Sequence, residues 1–90
     1  SFGMVVLEVM NAAKPVIATN EGSLPFIIVD GVTGFLVEKN APQQIAEKVK
    51  YLYNLPRETK KMGQAGYNRF MNNFTFDIFE KKLAEIFQQV

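Results

Sequence analysis

Apolar residues dominate the first fourteen positions. Ser1, Phe2 and Gly3 are followed by Met4, Val5, Val6, Leu7, Val9 and Met10, with Glu8 the one carboxylate among them. The run is about three helical turns long and apolar on most faces, which predicts a buried helix. Ser1 can cap it, its hydroxyl accepting from a first-turn N–H, so the helix is expected from Phe2 or Gly3 to Ala13. Pro15 stops it and pushes Lys14 toward extended backbone. Pro15-Val16-Ile17-Ala18-Thr19 is a short apolar run ending in a polar residue, and reads as a buried strand of a parallel sheet. Helix, tight junction and buried strand make half of an α/β layer.

Further along, Gly22 and Pro25 mark a turn at the carboxyl end of that strand. Phe26-Ile27-Ile28-Val29 fits a strand or a single helical turn equally well. Val32 to Val37 is a second strand candidate, with Gly31 and Gly34 read as turn residues. Asn40 with Gln43 resembles a capping box, and Pro42 suits a first helical turn. Ile45, Val49 and Leu52 then recur at helical spacing, with Glu47, Lys48 and Lys50 on other faces, which predicts an amphipathic helix packed on its Ile45 side. Asn54-Leu55-Pro56 breaks it. A further helix, from Pro56 to Asn72, carries Met62, Ala65, Gly66 and Phe70; Gly63 and Gly66 permit close packing but weaken the helix. Lys60, Lys61 and Arg69 read as its solvated face, with phosphate binding the lesser reading. Thr75 can cap a last helix that has Asp77 in its first turn and Phe76, Phe79, Leu83, Ile86 and Val90 in an apolar stripe.

Composition narrows the function classes. Ninety residues make at most one small domain, and a net charge of +1 leaves no electrostatic footprint for nucleic acid. The absence of cysteine removes disulfides and thiolate metal sites, and the absence of histidine removes the commonest metal ligand and general base. No run reaches the length of a membrane span, and neither a Walker-type nor a complete dinucleotide glycine motif occurs. The chain opens without methionine on its most apolar element, and its two strands are too few for a self-sufficient parallel sheet. The expectation is therefore a segment of a longer protein, prone to self-association through its uncovered strand edges.

Two places carry candidate chemistry. A helix start offers unpaired N–H groups and the positive end of a dipole, and Gly3 lets a ligand approach that backbone closely. Glu8, about one and a half turns on, can accept hydrogen bonds from ligand hydroxyls while the helix start holds a phosphate; alternatively it faces solvent or pairs with Lys14. The N–H groups of Gly22 and Ser23, at the carboxyl edge of a strand, can meet a phosphate or sugar oxygen, or simply form a strand-to-helix connection.

Taken together, several blocks resemble one family. Ser1-Phe2-Gly3-Met4, Glu8, Lys14-Pro15-Val16-Ile17-Ala18-Thr19, Gly22-Ser23-Leu24-Pro25 and Asp30-Gly31-Val32-Thr33-Gly34-Phe35-Leu36-Val37 look like the donor-binding half of the group 1 glycosyltransferases. Met62-Gly63 and Phe74-Thr75-Phe76 look like the C-terminal helices of the same family. The resemblance spans essentially the whole chain, with the blocks in the right order and spacing.

The resemblance implies an α/β, partial Rossmann-like fold: residues 1–90 would be the C-terminal segment of a GT-B donor-binding domain. It implies a retaining enzyme that moves a sugar from a nucleotide-sugar donor to a glycan, lipid or small-molecule acceptor, with no cofactor or metal. Of the family's paired glutamates, Glu8 matches the second, which binds ribose hydroxyls. The first, which supports transfer, would fall immediately before Ser1, so no catalytic residue is expected within the chain. Phe2, Gly3, Met4, Glu8, Gly22 and Ser23 are the implied donor contacts. The missing N-terminal domain would supply the rest of the cleft, and the segment alone would be inactive. Cytoplasmic placement, or a peripheral one at a membrane, is implied for the parent protein. Ala13, Ser23 and Phe26 depart from the family's usual glycine, glycine and acidic residue, which bears on the loop contacts to the sugar. A non-catalytic nucleotide- or protein-binding module built on the same fold is the alternative.

Overall fold

The structure, a computed structural model, describes residues 2–75, 77, 78 and 81. Its elements are α1 (Phe2–Asn11), β1 (Val16–Thr19), α2 (Leu24–Ile27), β2 (Gly34–Val37), α3 (Pro42–Asn54) and α4 (Pro56–Asn73). This is the expected α/β order, with both strands in the first half and a helical second half.

α1 stops two residues earlier than the proline suggests. Ala13 takes a left-handed φ of 57°. Its N–H donates to the Met10 carbonyl at 2.9 Å, and the Lys14 N–H donates to the Val9 carbonyl at 3.2 Å. This is the Schellman pattern that closes a helix on a left-handed residue, usually glycine. The chain has therefore already turned before Pro15. The cap expected from Ser1 lies outside the described residues.

β1 and β2 pair in parallel, from Val16 opposite Gly34 to Thr19 opposite Val37. A parallel pair needs a long crossover, here residues 20–33. The ambiguous Phe26–Val29 run resolves as the end of the one-turn helix α2 and its extended exit at Ile28. The Asp30–Gly34 stretch makes the second turn. The Leu36 N–H donates to Asp30 Oδ1 at 2.9 Å, and the Val29 N–H donates to the hydroxyl of buried Thr33 at 2.9 Å. Gly31 has a φ of 80°, as a turn residue should. Gly34 instead opens β2: a Cβ there would collide with the Val16 carbonyl of the neighbouring strand.

The core sits between α1 and the sheet. Val6, Met10, Val16, Leu24, Ile27 and Ile28 form one buried cluster, flanked by Leu7, Val9, Ala18, Leu36, Phe70 and Phe74. α4 packs with Met62 buried and Phe70 against the core, and two glycines let its backbone come close. Gly63 lies against the Ala13 carbonyl, and Gly66 faces the Thr33 carbonyl. The close packing expected of these glycines holds, and it brings α4 onto the end of α1.

α3 departs from expectation twice. Asn40 does not cap it: Asn40 has a left-handed φ of 59°, the helix begins after Ala41, and no side chain bonds the cap. Gln44, not Gln43, reaches back, its Oε1 accepting the Glu38 N–H at 2.8 Å. The packed face is also displaced. Gln44, Lys48 and Leu52 are half-buried, whereas Ile45 and Val49 are exposed. The helix docks through polar and aromatic contacts on Phe35 of β2. The Tyr51 ring meets it edge-on at 5.5 Å, and Lys48 Nζ lies 4.7 Å from its centre. Such contacts suit a cation and a ring edge, so the helix turns away from its apolar stripe by about one residue, roughly 100°.

Beyond α4, the Ile78 N–H donates to Thr75 Oγ1 at 3.4 Å, as a cap at Thr75 requires. The apolar stripe of Phe76, Phe79, Leu83, Ile86 and Val90 lies outside the described residues.

Candidate functional site

The start of α1 and the loop after β1 border one groove of about 880 Å³. Gly3, Val5, Val6 and Val9 line it from α1, Pro15 from the junction, residues 16–19 from β1, Glu21 to Ser23 from the loop, and Leu24 from the start of α2. Its wall is apolar along β1, and polar groups gather at the carboxyl end of the strand, at Thr19, Glu21, Gly22 and Ser23. Three of the predicted site residues, Gly3, Gly22 and Ser23, thus share one cavity, at the edge of the sheet where α/β folds bind ligands.

The loop is held at its base. The Asn20 N–H donates to the Val37 carbonyl at 2.8 Å, Glu21 to Thr19 at 2.9 Å, and Leu24 to Glu21 at 3.1 Å. Gly22 has a φ of 54°, and nothing lies within 4 Å of where its Cβ would be. Glycine is therefore favoured there by backbone conformation and not by crowding. Ser23 precedes α2 with its hydroxyl in no cap bond, and it is exposed.

Met4 and Glu8 lie elsewhere on α1. They border a smaller hollow of about 180 Å³ with Leu7, Asn11 and Phe70. Helix geometry explains the separation: Gly3 and Glu8 are about 140° apart around the axis, while Met4 and Glu8 are one turn apart on one face. Glu8 is exposed and, among the described residues, pairs with no cation, Lys14 included. Phe2 opens α1 with its backbone.

Arg69 corrects the sequence reading. The pattern puts it with Lys60 and Lys61 on a solvated face; those two lysines are exposed, but Arg69 is half-buried. Its Nε donates to the Ile27 carbonyl and its Nη2 to the Phe26 carbonyl, each at 2.7 Å. Its guanidinium lies 5.4 Å from the centre of the Phe74 ring. The partners are backbone atoms 42 and 43 residues away, so no local pattern announces them. The one available signal was Phe74 five positions on. Among the described residues no group of three or more carboxylates could hold a metal, and no helix is long and apolar enough to cross a membrane.

Comparison with known proteins bears on this geometry. The family model for glycosyl transferases group 1 matches residues 1–69. An uncharacterized glycosyltransferase of Methanocaldococcus jannaschii is 36% identical over 89 residues, covering 99% of this chain and 25% of that protein. The C-terminal domain of a group 1 glycosyl transferase from Francisella tularensis superimposes with a TM-score of 0.78 at 38% identity, over 84% of this chain and 39% of the other. An Anabaena protein solved in complex with UDP superimposes with a TM-score of 0.92 over 96% of this chain and 24% of the other, at 22% identity, a likeness of fold. The chain spans about a quarter of the length of the curated relative.

Proposed function

Because this chain belongs to the group 1 glycosyl transferases, we propose that it builds the donor side of a site that takes a nucleotide-sugar and passes the sugar to an acceptor hydroxyl with retained configuration. The observation that carries this reading is the meeting of Gly3, Gly22 and Ser23 in one groove at the carboxyl end of β1. The first N–H groups of α1, at Gly3 and Met4, offer donors and a positive dipole end to a diphosphate. Charge grows on that diphosphate as it departs, and preorganised N–H donors stabilise it without a metal. Gly22 and Ser23 approach the donor from the loop after β1. Glu8, with Met4 one turn before it, accepts hydrogen bonds from the ribose hydroxyls on the flank of α1. In this reading the catalytic carboxylate, the acceptor site and the remaining cations come from the rest of a longer enzyme. The chain is one segment of the donor-binding domain, and the apolar wall of the groove is the surface against which that domain continues.

Calorimetric titration of the full-length protein with UDP, GDP and ADP tests this. UDP heads the panel because a protein of this fold was solved with it. The expected result is micromolar binding of one of the three, weakened about tenfold, or about 1.4 kcal/mol, in Glu8→Ala. The melting temperature should stay put, since Glu8 is exposed. Unchanged affinity in that variant overturns the ribose role. Failure of all three to bind overturns the donor reading and leaves the partner-binding module.

A further inference from the structure

We propose that Arg69 is a positioning residue for the donor loop, acting through α2. The proposal rests on the reading of Gly22 and Ser23 as donor contacts.

α2 is one turn long, too short to hold itself. Its start is the end of the loop: Gly22 and Ser23 run directly into Leu24. Where α2 lies therefore decides where the loop presents its N–H groups. Two forces hold it. Leu24 and Ile27 are buried in the core, which fixes one face. The far end would otherwise present carbonyls without helical partners. Arg69 closes that end, its fork donating from two nitrogens to the consecutive carbonyls of Phe26 and Ile27, each at 2.7 Å. The guanidinium is itself held by the Phe74 ring at 5.4 Å.

The arrangement is specific to arginine. A fork of two fixed N–H donors restrains both the position and the rotation of α2, whereas a lysine at the same place is a point charge on a flexible stem. The apolar anchors alone leave the short helix free to swivel about the Leu24–Ile27 face. Arg69 borders neither the groove nor the hollow beside Glu8. Its effect on a ligand is therefore indirect, through the fraction of time the loop spends in its binding arrangement.

The test compares Arg69→Gln and Arg69→Lys with Thr59→Ala in the full-length protein. Thr59 is the control because its hydroxyl bonds the Leu52 and Leu55 carbonyls at the α3–α4 joint, away from the loop. Hydrogen exchange is read at the Leu24 and Phe26 amides, and affinity is read for UDP, GDP and ADP. Both Arg69 variants should quicken exchange at Leu24 and Phe26 but not in β1 or β2. Affinity should fall about fivefold in Arg69→Gln, as when the competent loop is populated one-fifth of the time. Arg69→Lys should recover part of that loss. Thr59→Ala should do neither at a matched loss of melting temperature. Unchanged exchange in both Arg69 variants overturns the proposal, and so does an equal loss of affinity in Thr59→Ala. If Arg69→Gln fails to fold, Arg69→Lys, which keeps the charge and the stem, carries the comparison. Gly22→Val separates the proposal from the reading beneath it. If Gly22→Val weakens binding and the Arg69 variants do not, the role of Arg69 falls and the donor loop stands. If none of them alters affinity, both fall.

Discussion

The two halves of the molecule are held together by different means. Residues 2–37 supply bulk: Val6, Met10, Val16, Leu24, Ile27, Ile28, Phe35 and Val37 are all buried apolar side chains. The α3–α4 hairpin supplies one such residue among those described, Met62, and none from α3. Beyond Met62 and the half-buried Phe70 and Phe74 at the edge of the core, it attaches through bare backbone at Gly63 and Gly66, through the arginine fork at α2, and through Lys48 and Tyr51 on Phe35. A core of bulk is strong and tolerant of small shifts in direction, because the hydrophobic effect has no orientation. Attachment by glycine contacts and hydrogen bonds is directional. The first half therefore makes the platform, and the second sets the angle at which its loops are presented.

The largest effect is expected in the platform. Met10, on α1, is fully buried in the core cluster with Gly66 of α4 beside it, with relative exposure of 0%. Met10→Ala should cost about 2–5 kcal/mol, the usual range for emptying a core site. Chemical denaturation would measure it as a fall in midpoint with unchanged slope. A loss below about 1 kcal/mol would mean that the site collapses freely, and that bulk is not what holds this half.

Much of the platform was legible in the sequence. The apolar run of α1, the short strands and the parallel pairing follow from local pattern, but the burial expected all round α1 does not hold, since Met4 and Val5 are exposed, as are Phe26, Val29 and Val32. Gly3, Gly22 and Ser23 can be named as candidates because helix starts, turns and strand ends are read one segment at a time, and all three line one groove. Two kinds of information were not local. The face of α3 was misread because Ile45 and Val49 look like core, while the actual contact uses the ring and cation chemistry of Tyr51 and Lys48 on Phe35. Arg69 was misread because its partners are carbonyls, and every residue has one. Ala13 stands between these cases: its departure from glycine was visible, but the left-handed backbone that gives glycine its advantage was not.

That residue provides the next test, at the seam between α1 and β1. Ala13 closes α1 at a φ of 57°, where a Cβ is strained. Ala13→Gly should remove the strain and stabilise the protein by about 1 kcal/mol, less what glycine gives back in unfolded-chain entropy. Thermal unfolding measures the net, which should be a small rise in melting temperature. A fall would mean that the Cβ at this position contributes packing worth more than the strain.

The smallest effect belongs to the stripe that looked like core. Ile45 and Val49 are 42% and 53% exposed, and the contacts that seat α3 lie on a neighbouring face. Surface substitutions of this kind usually stay within about 0.5 kcal/mol. Val49→Ser should therefore be nearly silent in denaturant melts, offset only by a slight change in helix propensity between two residues of similar rank. Its value lies in the contrast with Met10→Ala. Both remove apolar side-chain atoms, but only one removes them from a filled space. If Val49→Ser instead costs 2 kcal/mol or so, as core truncations do, a surface must cover α3 on its Ile45 side. The directional attachment of this half would then be backed by bulk as well, and the distinction between platform and angle would fail at α3.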